Sequence, residues 1–173
     1  MIMDKLNATL RNKAIELGLC NEWQKDWSEN WSNDTLVSKF FDGMDFCLSH
    51  NYPSNEFIKA NFDDKFLIRN NVLVDVIRSI LNSKQAAIFG NSMIKARYNG
   101  RACGRIYIKD NATLDINACN NSFVIVHVLG NAKVTAKRND SSVLVVIRHS
   151  KECKINCFGN VAVRDEIGLY ENP

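Results

Sequence analysis

Five cationic side chains stand close together near the middle of the chain and are its strongest candidates for binding chemistry. They are Lys95, Arg97, Arg101, Arg105 and Lys109. Cations at this density can bind phosphate groups or an acidic protein surface. Tyr98 and Tyr107 lie among them, and tyrosine rings stack on nucleic-acid bases. The cluster therefore predicts a partner-binding surface, with a solubilising rim that pairs with acidic residues as the alternative.

The cationic cluster belongs to the basic half of a chain of 173 residues. Residues 1–80 carry 9 Lys and Arg against 12 Asp and Glu, a net charge of −3, whereas residues 81–173 carry 13 against 7, a net charge of +6. Together they make the +3 of the whole chain. A basic half next to an acidic half favours an anionic partner for the former, or attraction between the two.

Residues that could support catalysis or hold a metal are sparse. Cys47 and His50 are one turn apart on a predicted helix, but a zinc site needs two further ligands. His127 and His149 are expected at different corners of the fold. There is no P-loop, dinucleotide fingerprint, His-Glu-x-x-His or Cys-x-x-Cys motif. We expect no enzymatic activity, no cofactor and no metal, and we expect the six cysteines to be reduced thiols of a cytoplasmic protein.

Residues 91–149 form a repeat of ten-residue units, each with one short strand and one turn. The second position of a unit is always Ala or Ser, and the fourth and sixth are mostly apolar. Alternation with a period of two at a fixed phase predicts β-strands. The outward positions repeat every twenty residues instead, because polar units alternate with apolar ones. Two units therefore make one coil of a β-solenoid, since an antiparallel meander would interleave polar and apolar strands; Asn91, Asn111 and Asn131 are expected to stack as a ladder.

The repeat and the helical periodicity before it predict an α+β chain. A helical subdomain is expected over residues 1–84, and a β-solenoid of about four coils over residues 85–173. Residues 63–84 fit either strand or helix. Four helices are expected: over Asp4–Leu17, over residues 21–31, from a cap at Asn33 or Asp34 to about Leu48, and from Pro53 to about Asn61.

Two apolar sets are expected to pack against another surface. The outward residues of the apolar units form a patch that consists of Phe123, Ile125, Val143, Val145 and Ile147. The helical half, a second copy in a homodimer or a foreign partner could cover this patch. Trp23, Trp27 and Trp31 are spaced at i, i+4 and i+8, which makes one stripe on a helix. This stripe is expected to form the core of the helical part, with an interface as the alternative.

Four features of the sequence carry a resemblance to known proteins. They are Leu-Cys-Asn-Glu-Trp at Leu19–Trp23, the segment Gly43–Ser54, Phe-Gly-Asn-Ser at Phe89–Ser92, and strands punctuated by asparagine. In these features the chain resembles uncharacterised small repeat proteins of phages and mobile elements from gut Bacteroidetes. The resemblance covers most of the chain and implies a protein that acts in the cytoplasm of a bacterial host. It implies no activity and no site residues.

These observations favour a non-enzymatic interaction protein. The most specific hypothesis is an inhibitor of a bacterial defence nuclease, anti-CRISPR-like in its action, that binds a ribonucleoprotein nuclease through a basic solenoid face. The first alternative is a structural or self-assembling virion or polymer component, and the second is a nucleic-acid-binding module. The longest aliphatic run, Val143–Ile147, is far shorter than the ~20 residues of a membrane helix, so no membrane partner is expected.

Overall fold

The computed structural model describes residues 2–170 and the side chains from Lys5 onward. Within that range six helices precede eleven strands, so the α+β class predicted from the sequence is confirmed. The chain divides into two compact units, Met1–Asn61 with Tyr170–Pro173 and Phe62–Leu169.

The first unit contains five short helices whose ends follow local stop signals. They are α1 (Ile2–Glu16), α2 (Asn21–Asp26), α3 (Asn33–Asp42), α4 (Met44–Ser49) and α5 (Asn55–Asn61). After α1, Gly18 adopts a φ of +90°, and the Leu19 N–H donates to the Ala14 carbonyl at 2.9 Å. This is the Schellman arrangement, in which glycine tolerates the left-handed backbone that ends a helix.

Two of the predicted helices are interrupted. The helix expected over residues 21–31 ends at Asp26, because Trp27 has an extended backbone with ψ of 116°. The helix expected from residue 33 to Leu48 breaks at Gly43 into α3 and α4. A Cβ at Gly43 would lie 3.5 Å from the Trp23 ring, so the break coincides with a close approach of that ring.

Two predicted helix starts also differ from the structure. Ser32 caps α3, since its hydroxyl accepts a hydrogen bond from the Thr35 N–H at 3.2 Å, in place of the expected Asn33 or Asp34. The last helix of this unit begins at Asn55 rather than at Pro53. In both cases a serine hydroxyl competes successfully with the neighbouring candidates for the first free N–H groups of the helix.

The second unit contains one helix and a β-solenoid. Its elements are α6 (Asp64–Arg69), β1 (Val72–Val74), β2 (Ile77–Leu81), β3 (Gln85–Phe89), β4 (Met93–Tyr98), β5 (Cys103–Ile108), β6 (Thr113–Ala118), β7 (Phe123–Val128), β8 (Lys133–Arg138), β9 (Val143–Arg148), β10 (Lys154–Phe158) and β11 (Ala162–Asp165). The odd-numbered strands form a six-stranded parallel sheet, and the even-numbered strands form a five-stranded parallel sheet. Because the chain alternates between the sheets, each coil gives one strand to each, which is the predicted solenoid of about four turns.

The register explains why the solenoid begins earlier than expected. Met93 pairs with Thr113 and Thr113 with Lys133, so a regular coil takes 20 residues. Ile77 pairs with Met93, which makes the first coil only 16 residues long. This shorter coil breaks the ten-residue period. As a result, β1 and β2 lie upstream of the expected boundary at residue 84, within the stretch that the sequence left open between strand and helix.

The core of the second unit lies between the two sheets. The fourth and sixth positions of the units are buried there, as are the small residues at the second position. Fully buried members include Ile106, Leu114, Ile116, Val124, Val126, Leu144 and Val146. Burying one such side chain stabilises the fold by about 1.5–3 kcal/mol relative to leaving it exposed. The inward and outward positions predicted from the alternation are therefore confirmed by the structure.

The corners recur every ten residues and need a left-handed backbone. From residue 90 to residue 140 every tenth residue has a positive φ; they are Gly90, Gly100, Asp110, Asn120, Gly130 and Asp140. Neighbouring corners are joined by side chains: Asp110 accepts a hydrogen bond from the Gly90 N–H at 2.8 Å, and the Ser150 hydroxyl accepts one from Gly130 at 2.9 Å. Asn91, Asn111 and Asn131 are exposed, and the bonds between coils run through Asp110 and Ser150 instead of the expected asparagine ladder.

Candidate functional site

The outer face of the five-stranded sheet carries three straight rows of accessible side chains. The parallel strands are in register, so equivalent outward residues lie side by side, about 4.8 Å apart between strands. The rows are Ile77, Met93, Thr113, Lys133 and Lys154; Ser79, Lys95, Asp115, Thr135 and Asn156; and Leu81, Arg97, Asn117, Lys137 and Phe158. We call this surface the cationic face.

Positive charge predominates on the cationic face. Its cations are Lys95, Arg97, Lys133, Lys137 and Lys154, and its one carboxylate is Asp115. The Lys137 ammonium lies 3.4 Å from the Asp115 carboxylate, with side chains 44% and 43% exposed. A pair so open to water contributes little stability. The other four cations form no ion pair among the residues that the structure describes, so their charges are available to a partner.

Apolar side chains border the cations at both ends of the cationic face. Ile77 is 80% exposed, Leu81 63% and Met93 54% at the end formed by the first strands. Phe158 is 57% exposed at the other end. Large apolar side chains this exposed on one face, next to unpaired cations, are typical of a surface that binds a partner.

The cations predicted as one cluster are divided between opposite sides of the solenoid. Lys95 and Arg97 lie on the cationic face, whereas Arg105 projects outward from the six-stranded sheet. Arg101 is exposed at the corner between them. The prediction of a single surface is therefore wrong, because consecutive ten-residue units belong to different sheets.

Three other residues of that cluster are buried. Lys109 is 9% exposed, with its ammonium 4.6 Å from the centre of the Phe89 ring. Tyr98 is fully buried in the core and donates a hydrogen bond to the Ser83 carbonyl at 2.7 Å. Burial raises the pKa of Tyr98 above its usual range. Tyr107 is 6% exposed. Neither tyrosine offers a ring to a nucleic-acid base.

The cations that the sequence prediction missed are those on later coils. Lys133 lies two strands away from Met93 in the same row, and Lys154 lies beside Lys133. In sequence they are dozens of residues from Lys95, so a search for local charge density passes over them. The twenty-residue period of the outward positions carried the signal that joins them.

A stack of three rings lies on the outer side of the six-stranded sheet. The ring centres of Tyr107 and His127 are 4.9 Å apart, and those of His127 and His149 are 5.3 Å apart. His127 Nδ1 is 3.0 Å from His149 Nε2, and His149 Nδ1 donates to the Glu166 carbonyl at 3.2 Å. The expectation that the two histidines occupy different corners is wrong, because His149 follows β9 directly and lies diagonally next to His127 on the neighbouring strand.

The predicted apolar patch lies on the same outer side of the six-stranded sheet. Phe123 pairs with Val143 and Ile125 with Val145, so the rows form as expected. Phe123 is 42% and Val143 38% exposed, whereas Ile147 is only 8% exposed. Exposure thus decreases along the strands. Self-association through this patch, or its cover by the helices, stays a prediction.

The three tryptophans meet although they do not share one helix. The Trp27 indole donates to the Asn7 side-chain oxygen at 2.6 Å, and the Trp27 and Trp31 ring centres are 5.0 Å apart. The Lys39 ammonium lies 5.3 Å from the Trp23 ring centre and 5.1 Å from that of Trp31. All three rings are half-buried. The contacts organise the first unit, so the predicted role in its interior is supported while the single helical stripe is wrong.

Cys47 and His50 make local contacts that suit neither catalysis nor metal binding. Burial, with a smaller contribution from Asp45, raises the pKa of the Cys47 thiol to about 12, so the thiol is protonated at neutral pH. His50 Nδ1 donates to the Phe46 carbonyl at 2.9 Å. Across residues 2–170, no three histidine, cysteine or carboxylate side chains are grouped to hold a metal ion.

Comparisons of the whole chain give no relative from which a function could be transferred. No protein-family model, no curated protein and no solved structure matches it. No helix in the described part of the chain has the length and apolar character needed to cross a membrane. The cationic face is thus the feature from which a function is argued.

Proposed function

We propose that this chain is a non-enzymatic interaction protein whose cationic face binds nucleic acid, either free or within a ribonucleoprotein. The supporting observation is that five cations and one carboxylate share one accessible, in-register sheet face. Contacts from Lys and Arg to phosphate groups dominate the affinity of proteins for nucleic acids. Five strands span about 19 Å at ~4.8 Å per strand, which is long enough to follow several nucleotides.

The neutral residues of the cationic face suit the same kind of partner. Thr113, Thr135 and Asn117 stand between the cations, and hydroxyl and amide groups donate hydrogen bonds to phosphate oxygens. Phe158 supplies an exposed ring on which a base can stack. An acidic protein surface would use the cations but would gain less from the ring, so nucleic acid is the favoured partner.

Inhibition of a bacterial defence nuclease is the biological role that we propose for this binding. It rests on the resemblance to phage and mobile-element proteins together with the cationic face. A protein that binds the guide or target strand of a ribonucleoprotein nuclease would block the path of its nucleic acid. The inhibitor should therefore lose its effect on cleavage in step with its loss of nucleic-acid binding.

Charge reversal on the cationic face tests the proposal. We expect the double variant Lys95→Glu/Lys133→Glu to bind a short fluorescein-labelled single strand at least roughly tenfold more weakly, measured by fluorescence anisotropy between about 50 and 200 mM salt. The slope of log affinity against log salt should fall by about 1.4, since each phosphate contact to a single strand contributes ~0.7.

The matched control removes the same charge from a different surface. Arg101→Glu/Arg105→Glu changes the net charge equally but leaves the cationic face intact, so its affinity should stay within about threefold of the natural chain. Equal losses in the two double variants would mean that only net charge matters. Those equal losses, or binding by the natural chain that does not depend on salt, would contradict the proposal.

A further inference from the structure

The solenoid is closed at one end and open at the other. At the first coil, Ile68 of α6 packs against the core between the sheets. At the last coil, β10 and β11 are the terminal strands of their sheets, and no strand of the described chain pairs with their outer edges. Unpaired strand edges are ready to pair with another strand.

Core positions reach solvent at the open end. Ala136 and Val146 are fully buried inward residues of the preceding coil. Their neighbours on the last coil are Cys157, which is exposed, and Val163, which is 46% exposed. The ladder of inward side chains therefore continues to the end of the solenoid without a cover among residues 2–170. A surface of this kind is normally buried in an interface.

The backbone of the last coil also presents free groups to the outside. The Lys154 N–H donates to the Ala132 carbonyl, so Lys154 faces the sheet. Successive residues of a strand face opposite sides, which turns the N–H and carbonyl groups of Ile155 and Cys157 toward the free edge. On the other sheet, the Glu166 N–H donates to the Arg148 carbonyl. By the same alternation, Val163 and Asp165 face outward.

The charges at the open end point to a second copy of this chain as the occupant. The exposed charged residues there are Lys151, Lys154 and Arg164 on one side of the balance and Glu152, Asp165 and Glu166 on the other. Equal numbers of cations and carboxylates let the same surface meet itself without net repulsion. The cationic face lacks this balance and would repel its own copy. We infer that two chains join as a two-fold dimer through the edges of their last coils.

The positions of the free backbone groups fix the register of β10 in this dimer. In an antiparallel pair, residues that face the edge exchange both of their hydrogen bonds. Ile155 then pairs with Cys157 of the second copy, and Asn156 lies on the two-fold axis. Lys154 lies opposite Phe158 of the second copy, where an ammonium and a ring attract each other.

The two-fold arrangement limits assembly to a dimer and enlarges the proposed binding site. Both open ends are used in one isologous contact, and α6 closes the other end of each solenoid, so the contact does not propagate. The two five-stranded sheets become one continuous ten-stranded sheet. The two cationic faces then form a single surface of twice the length. Dimerisation itself does not depend on the cationic face binding nucleic acid.

Sedimentation velocity of the full chain tests the dimer. We expect the natural chain to sediment as a dimer at concentrations up to about 200 µM and to dissociate on dilution. Phe158→Lys places a cation opposite Lys154 of the second copy and should raise the dissociation constant by roughly tenfold or more. Adding Lys154→Glu to that variant should restore the dimer, because the opposed pair becomes Lys and Glu.

The matched control lies in the same row at the other end of the sheet. Leu81→Lys makes a similar change at an exposed apolar residue of β2 and should leave the dimer intact. Rescue by the double change shows that Phe158→Lys folds, and Lys95→Glu/Lys133→Glu should remain dimeric even if nucleic-acid binding fails. A natural chain that is monomeric throughout, equal loss in Leu81→Lys and Phe158→Lys, or assemblies that grow with concentration would each overturn the inference.

Discussion

Gly104 interrupts the aliphatic inward series because Tyr98 occupies the space in front of it. A Cβ at Gly104 would lie 2.4 Å from Tyr98 Cε1 and 2.7 Å from the Tyr98 hydroxyl oxygen. The ring therefore fills volume that a branched side chain fills in other coils. Its hydroxyl donates to the Ser83 carbonyl, which satisfies both polar groups inside the core. A glycine that looks like a weak point in the strand is a requirement of the ring opposite.

This pairing predicts a strong coupling between the two residues. Gly104→Ala should lower the free energy of unfolding by about 1–3 kcal/mol, because the added methyl group overpacks the core. Tyr98→Leu removes the clash, so the double variant should be more stable than the sum of the single losses by about 0.5–3 kcal/mol. Urea denaturation of the four proteins in the cycle measures the coupling. Additive losses would show that the ring and the glycine do not share the space.

At the scale of the element, the corners set the spacing of the strands. Asp140 has a φ of 56° and its carboxylate accepts a hydrogen bond from the Asn120 N–H at 3.1 Å. The left-handed conformation costs an ordinary L-residue about 1–2 kcal/mol, whereas Gly, Asn and Asp adopt it more readily. Each corner therefore needs both a residue that tolerates positive φ and an acceptor for the next coil.

The two requirements at a corner can be separated at Asp140. Asp140→Gly removes only the acceptor and should cost about 0.5–1.5 kcal/mol in the free energy of unfolding. Asp140→Ala also introduces backbone strain, so it should cost about 1 kcal/mol more than the glycine variant. Thermal and urea unfolding of the two variants provide the comparison. If alanine is tolerated as well as glycine, the positive φ is not what the corner requires.

At the scale of the whole molecule, the solenoid is a stack in which each coil contacts mainly its neighbours. Stability in such a stack is close to a sum of coil and interface terms. The register advances by 20 residues per coil, so only a multiple of 20 keeps every strand in its own sheet. A shift of ten residues preserves the inward positions but exchanges the two outer faces.

Deleting a whole coil should therefore be tolerated better than deleting half of one. Removal of residues 111–130 joins Asp110 to Asn131 and brings β8 beside β4 in the existing rows. We expect this chain to fold with a lower denaturant m-value, which scales with the surface exposed on unfolding. Removal of residues 111–120 moves Phe123 and Val143 onto the five-stranded sheet and should cause aggregation. Circular dichroism and sedimentation distinguish the two products, and equal behaviour would contradict the role of the outer faces.

The local pattern of the sequence predicts much of the second unit. Alternation, small second positions and turn residues are properties of neighbouring residues, so they identify strands β4 to β9 and their inward sides. The stretch from residue 63 to residue 84 escapes prediction because its coil is four residues shorter than the others. The tryptophan helix is overextended for a related reason: the spacing of Trp23 and Trp27 fits a helix, but the contact of Trp27 with Asn7 is made from an extended backbone.

The sequence by itself determined that this chain is a solenoid with two strands per coil, because side-chain period and turn chemistry are local. Only the tertiary structure decided which charges share a surface. Lys95 and Lys133 stand on the same face, whereas Arg105, ten residues from Lys95, stands on another. The physical reason is that a residue's neighbours across a parallel sheet are one full coil away, while its neighbours in sequence cross to the opposite sheet.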